Sequence, residues 1–246
     1  MKNLLKRLAR KIIPARPVHV MIDRPLMLRY AAKTVDPDGV FIDVGAGTGT
    51  TARQFAELAN LKPENCHLIE PEPANFAVMQ RNAPGYVAVQ AAIASRSGAV
   101  TIYSVDDPRW EGSSKSNTIY RDVLKEKFND QLIVAHEIPA VTIGDYLRNN
   151  SIERVECLFF NCEGAEYELF DSDLDWLDRT RLLWIDLHGR SQTLLRRHGD
   201  RRTGIYDKIV ARGMTRVGGH RREDTLNARY HLSFLFERLD WPQKSS

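Results

Sequence analysis

The sequence predicts an α/β protein built on a doubly wound, Rossmann-like sheet of seven strands whose last strand is antiparallel. Three observations point there. Short apolar runs alternate with amphipathic segments from residue 40 onward. A glycine-rich turn at 45–49 follows the first apolar run and opens a helix, the order of a right-handed parallel βαβ unit. The last two apolar runs, 214–217 and 230–237, have only a polar loop at 218–229 between them, so they read as an antiparallel closing pair.

Each element follows from its local pattern. Residues 40–44 are a buried strand, and 50–59 a helix with Phe55, Leu58 and Ala59 on one side. Residues 67–70 form a second short strand, 74–82 a helix, 86–93 a third strand, and 100–105 a short additional strand after the Ser-Gly turn at 97–98. Residues 157–160 and 182–185 are two more buried strands, with a helix starting near Glu163 between them. Residues 204–212 are helical through Ile205, Ile209 and Val210 and stop at Gly213, a residue type suited to the left-handed position after a helix. The polar stretch 111–118 is either a lid over a site or a surface loop.

Composition bounds the function classes. The 246 residues are 43% hydrophobic and 27% charged, which excludes collagen-like, disordered and membrane-spanning classes and is ample for a sizeable core. Cys66, Cys157 and Cys162 form neither an even framework nor a CxxC pair, so reduced thiols in a cytoplasmic protein are expected and a structural zinc is not. The net charge of +3 hides an uneven distribution. Residues 1–16 carry six basic side chains and no acid; 189–222 carry ten, opposed within the stretch only by Asp200 and Asp207. Residues 1–34 read as a basic amphipathic helical extension and 35–240 as the main domain. The apolar residues Leu4, Leu5, Leu8 and Ile12 share one helical face, which either packs on the domain or lies on an anionic membrane surface. Charges interrupt them, so they do not read as a secretory signal.

The chemistry concentrates at Asp43-Val-Gly45-Ala-Gly47-Thr-Gly49. Glycines let a backbone turn tightly and approach a ligand that side chains would exclude. Dinucleotide binders use GxGxxG to place amides at a pyrophosphate. Here the spacing is GxGxG, with an acid two residues ahead that would repel a pyrophosphate but could hold an amino group directly or through water. That favours S-adenosyl-L-methionine over NAD. Glu70, ending the second strand, is placed to accept hydrogen bonds from both ribose hydroxyls of either cofactor.

At this point the sequence resembles the FkbM-type methyltransferases. The likeness rests on FIDVGAGTG at 41–49, IEPEPANF at 69–76, AAIASRSGAVTIY at 91–103, VTIGDYL at 141–147, NCEGAEYELF at 161–170 and IDLHG at 185–189. It implies a class I methyltransferase sheet and methyl transfer from S-adenosylmethionine to a hydroxyl, often on a sugar, glycolipid or polyketide. The donor set it implies is Asp43, Gly45, Ala46, Gly47, Gly49, Glu70, Pro71 and Ala92. One position departs: where the family block has an acid, this chain has Asn161, an amide that can hydrogen-bond but cannot act as a base.

The residues expected to serve the acceptor are Glu163, His188 and Asn161, all at strand ends. A histidine of ordinary pKa suits a base near neutrality, whereas Glu166 reads as a first-turn acid favoured by the helix dipole. Asn161, Glu163 and His188 would also be the ligands of a divalent metal, which is not favoured because spacing alone does not bring them together. The rival readings are a donor-binding protein without catalysis, an NAD-dependent oxidoreductase and a nucleic-acid methyltransferase. The last is prompted by the basic segment, but Tyr206 is the only aromatic there to stack on a base. Asp43→Ala and Glu70→Ala are each expected to weaken S-adenosylmethionine binding in isothermal titration calorimetry; unchanged affinity in both refutes this donor site.

Overall fold

The computed structural model describes residues 24–107, 117–189, 191–198, 201–226 and 232–242. The 1–16 segment lies outside the described residues, as does the polar stretch 111–118 apart from Asn117 and Thr118. Helix α1 (Arg24–Thr34) precedes β1 (Phe41–Val44), α2 (Thr50–Ala59), β2 (Cys66–Ile69), α3 (Pro73–Asn82) and β3 (Val87–Val89). A second group follows: β4 (Ala92–Ile93), β5 (Gly98–Val105), β6 (Asn117–Thr118), α4 (Arg121–Lys125), β7 (Ile133–Val141) and α5 (Ile143–Asn149). The chain continues through β8 (Val155–Phe160), α6 (Glu166–Leu169), α7 (Asp175–Asp178), β9 (Thr180–Leu187), α8 (Gln192–His198), α9 (Arg202–Ala211), β10 (Thr215–Gly219) and β11 (Leu232–Glu237).

The main sheet has seven strands in the order β10-β11-β9-β8-β1-β2-β3. The five strands from β9 to β3 are parallel; β11 is antiparallel to both β9 and β10. Chain order reverses between β1 and β8, and in open α/β sheets ligands bind in the crevice at the carboxyl ends of the strands at such a point.

β1, β2, β8 and β9 are buried along their whole length, as strands covered on both faces must be. Ile42, Val44, Leu158, Phe160, Leu183 and Ile185 face one layer, with α5, α7 and α9. Phe41, Cys157, Phe159, Leu182 and Trp184 face the other, with α1 and α2. There the rings of Phe41, Phe55 and Phe159 lie 4.7–5.0 Å apart and Trp184 meets Phe159 edge-on at 5.0 Å.

Several predicted elements differ from those observed. The strand expected over 86–93 divides: β3 pairs with β2 in the main sheet, and β4 pairs with β7 in a second, four-stranded sheet ordered β4-β7-β5-β6. Nothing local marks the break, because long-range pairing sets it. The extra strand at 100–105 is the eight-residue β5, paired along its length with β7, which the pattern did not suggest. β7 contains His136, Glu137 and Pro139; β4 reaches only Ala140 and Val141, so the side of β7 at Pro139 is open, where proline is tolerated. Leu58 is 51% exposed, since α2 buries Ala52, Phe55, Ala56 and Ala59. The loop expected at 218–229 carries the end of β10 and a 3-10 turn at Arg222–Leu226.

Five cations of the 189–222 segment are paired with aspartates drawn mostly from other parts of the chain: Arg197 with Asp122, Arg201 and Lys208 with Asp171, Arg212 with Asp175 and Asp178, and Arg222 with Asp207. No helix among the described residues is long and apolar enough to cross a membrane. Phe41 is fully buried between the other rings, so Phe41→Ala should cost about 3–5 kcal/mol in urea denaturation; a loss below about 1 kcal/mol would show that the aromatic layer is not part of the stabilising core.

Candidate active site

The glycine loop is pressed between two strand ends. Gly45 and Ala46 donate their N–H groups to the Ile69 carbonyl at 2.9 and 3.1 Å, and Gly47 donates to Glu70 Oε2 at 2.7 Å. Gly45 has φ +79°, and a Cβ there would stand 1.9 Å from the Asn161 carbonyl oxygen. Only glycine meets both demands.

A cavity opens on each side of this loop. The smaller, about 80 Å³, is lined by Glu70, Pro71, Ala92, Asn117 and Glu163 among others. The larger, about 370 Å³, is lined by Arg24, Asp43, Ala46, Thr48, Trp184 and Asp186 among others. Gly45, Gly47 and Asn161 line both.

The loop is surrounded by buried acids. Burial pushes the Asp43 carboxyl up to about 7, helped by the charges of Glu70 and Asp186. Burial also raises Glu70 to about 7, against the pull of the Glu72 and Gly47 amides and the Asn75 side chain. Asp186 accepts from Trp184 Nε1 at 3.3 Å and from the Ser233 hydroxyl, and pairs with Arg24. Of the groups that donate to Glu70, Gly47 and Asn117 line the smaller cavity, so its ligand-facing bonds are held by a loop amide and a side-chain amide.

On the Glu163 side of the smaller cavity stands a carboxylate–imidazole–carboxylate arrangement. The helix predicted near Glu163 begins instead at Glu166, because Glu163 (φ 48°) and Gly164 (φ 103°) form a left-handed turn. For a glutamate this backbone is strained, of the kind that collects at functional sites; Thr118 Oγ1 holds the turn by donating to the Glu163 carbonyl at 3.0 Å. Glu166 is wholly buried and accepts from the N–H groups of Gly164 at 2.9 Å and His188 at 2.7 Å, with His188 Nδ1 at 2.9 Å. His188 Nε2 lies 3.4 Å from Glu163 Oε2, and the Glu163 side chain is 44% exposed. Burial alone would lower the imidazole pKa, but the Glu166 and Glu163 charges override it and hold the ring well above its ordinary value. These carboxylates favour the imidazolium form of His188 over the free base its type suggests.

The structure thus brings Asp43, Gly45, Ala46, Gly47, Glu70, Pro71, Ala92, Asn161 and Glu163 to the cavity walls. Gly49 lines neither; it caps α2 and faces Met79. His188 stands behind Glu163. Sequence reasoning missed Asp186 and Arg24 and took Glu166 for a dipole partner. A usable signal for Asp186 was its two-residue spacing from Trp184, which puts both on the sheet face that carries Asp43. The sequence did not favour a metal on Asn161, Glu163 and His188, and here both His188 nitrogens face carboxylates. Among the described residues no group of three or more His, Cys, Asp or Glu side chains could hold a metal ion.

S-adenosylmethionine fits these residues on one independent observation. Asn161 Oδ1 is a buried acceptor with no hydrogen-bond partner among the described residues, and it lies where the two cavities meet. Such a group calls for a ligand donor, and the acids around it call for a cation.

A seven-stranded, mostly parallel sheet with a glycine loop and acids at its switch point defines a Rossmann-like methyltransferase fold. Residues 43–198, more than half of the chain, match the methyltransferase FkbM domain, and the chain belongs to that family. The FkbM methyltransferase of Methylobacillus flagellatus KT is similar in structure at 14% identity and TM-score 0.49, over 81% of this chain and 44% of that one. This chain therefore spans less than half the length of that protein. A Streptococcus agalactiae protein of the NADB-Rossmann superfamily is similar at 10% identity and TM-score 0.43, over 89% and 70% of the two chains. M. capricolum TrmK, solved with S-adenosyl-homocysteine, is similar at 7% identity and TM-score 0.42, over 89% and 70%. No curated protein sequence matches this chain.

The acids set a pH dependence. An acid raised to about 7 in the folded state adds stability that is present below its unfolded pKa, about 4, and is lost as pH rises through 7. The raised His188 acts in the same direction, its contribution being lost only above its ordinary value. The unliganded protein should therefore melt at a lower temperature at pH 8 than at pH 5.5, and cationic S-adenosylmethionine should narrow the gap more than neutral-sulfur S-adenosyl-homocysteine. A melting temperature that rises from pH 5.5 to 8 contradicts the buried-acid account.

Proposed function

We propose that this chain transfers the methyl group of S-adenosylmethionine to a hydroxyl oxygen of a sugar, glycolipid or related small acceptor, with Glu163 as the proton acceptor. The observation that carries this is Glu163 itself: an exposed carboxylate on the cavity wall, held in a left-handed turn and backed by a cationic histidine.

S-adenosylmethionine supplies a methyl group made electrophilic by its sulfonium charge. The chain's residues do the rest. Asp43 and Glu70 offer negative charge on either side of the glycine loop. Glu163 accepts the hydroxyl proton as the acceptor oxygen loses it, a contribution of about 10²–10⁴ in rate for a placed base. His188 orients the Glu163 carboxylate, and Glu166 holds the ring. Asn161 does not act as a base. Much of the remaining rate comes from positioning.

The paired arginines of 189–222 favour a small acceptor over nucleic acid, because a phosphate-binding face needs cations free to replace counterions. The basic segment 1–16 is assigned to peripheral contact with an anionic membrane on the cytoplasmic side, where a glycolipid acceptor would be met.

Mass spectrometry of glycan and lipid extracts incubated with the protein and labelled donor should show the label on a hydroxyl oxygen. Glu163→Gln should cut turnover by about a hundredfold while leaving donor affinity within about twofold. Label on nitrogen, or full turnover by this variant, would refute the proposal.

A further inference from the structure

We propose that the outward face of α1 and the basic segment 1–16 ahead of it form one docking surface for an anionic lipid bilayer, with the larger cavity directly behind it. The proposal rests on the membrane contact in the reading above and says where on the fold that contact lies.

Helix α1 has two unlike faces. Met27, Leu28, Ala31 and Ala32 are buried, whereas Leu26, Arg29 and Lys33, spaced as one helical stripe, are exposed. Leu26 is 55% exposed. The helix contains no acid, and neither Arg29 nor Lys33 pairs with one among the described residues. The cations of the 189–222 segment differ in this respect, since half of them are held by aspartates.

The inner face fixes how the outer one is presented. Arg24 pairs with Asp186 at the start of the helix, and the Tyr30 hydroxyl donates to Glu237 Oε2 at 2.7 Å further along. Arg24 and Leu28 line the larger cavity. α1 is thus a wall with the cavity on one side and unpaired cations on the other.

Charge and composition identify the occupant. Residues 1–34 carry nine basic side chains and one acid, Asp23, whereas residues 35–246 are net −5. An anionic surface attracts the first set and repels the second, so it selects this end. Eight residues separate Arg16 from Arg24, at most about 29 Å of extended chain, which keeps the cations of 1–16 near α1. Apolar side chains stand among these cations: Leu4, Leu5, Leu8 and Ile12 in the segment, and Leu26 on the helix. Cations interleaved with exposed apolar groups suit the boundary between headgroups and acyl chains. A polyanion in water offers the cations a partner but the leucines none.

Vesicle sedimentation with the full chain tests the proposal. The protein should bind phosphatidylcholine vesicles that contain phosphatidylserine and not vesicles of phosphatidylcholine alone, and salt should release it. Each cation at such a surface contributes about fivefold in affinity, so Arg29→Gln/Lys33→Gln should weaken binding about twentyfold. Arg212→Gln/Arg222→Gln removes the same charge from paired positions and should change binding by less than about twofold. Equal losses in the two double variants would overturn α1 as the surface, and so would no loss in the first. If circular dichroism shows that the first variant does not fold, Arg29→Gln alone is read in the same way. Tighter binding to a DNA duplex than to the anionic vesicles would overturn the bilayer as partner. Wild-type protein that binds neither vesicle refutes the membrane contact of the reading above together with this surface, whereas binding that ignores the α1 variant refutes this surface alone.

Discussion

Buried acids gathered at one edge of a parallel sheet are the constraint on which the site depends. Asp43, Glu70 and Asp186 end three different strands, and burial makes ionisation of the first two costly. The protein offsets this with loop amides on Glu70 and with Arg24 on Asp186. It leaves the rest unneutralised, so a ligand bearing positive charge is worth more there than in water. The glycine loop, the Asn161 amide and the crevice between β1 and β8 can all be understood as ways of bringing such a ligand within reach without crowding the carboxylates.

The row of Glu163, His188 and Glu166 handles charge differently. Glu166 is buried with three hydrogen-bonding hydrogens aimed at it, so its position is fixed by the backbone of Gly164 and His188 as much as by the imidazole. The Glu166 and Glu163 carboxylates together raise the His188 pKa, and the ring in turn stands 3.4 Å from Glu163 at the cavity wall. Opposite charges alternate from the buried Glu166 through His188 to the exposed Glu163, so the buried carboxylate and ring each have a partner of opposite sign.

The main sheet and the glycine loop at its switch point were legible in the sequence because both depend on local pattern. Continuous apolar runs identify strands buried on both faces, and a glycine loop between a strand and a helix identifies the switch point. The second sheet was not legible: only Gln90 interrupts the apolar run from β3 to β4, and Pro139 disguises β7. Glu166 was misread because its position in the chain, the first turn of a helix, gives no sign that the side chain turns inward to a histidine 22 residues away. Likewise His188 has an ordinary residue type in an environment that only tertiary contacts create. Gly45 and Asn161 show the same division. The glycine is visible as a motif, but the reason for it, a carbonyl where its Cβ would be, lies on a strand more than a hundred residues later.

The pairing of the arginine-rich segment has an electrical consequence for the whole molecule. Five of its ten cations are balanced by Asp122, Asp171, Asp175, Asp178 and Asp207, so its surplus of positive charge is smaller than its composition alone suggests. The chain's formal charge is +3, yet residues 1–16 alone contribute six positive charges and no negative one. The remainder is therefore net negative. Six unopposed cations at one end of the sequence thus stand against a net charge of −3 on the other 230 residues, a separation that the total of +3 conceals.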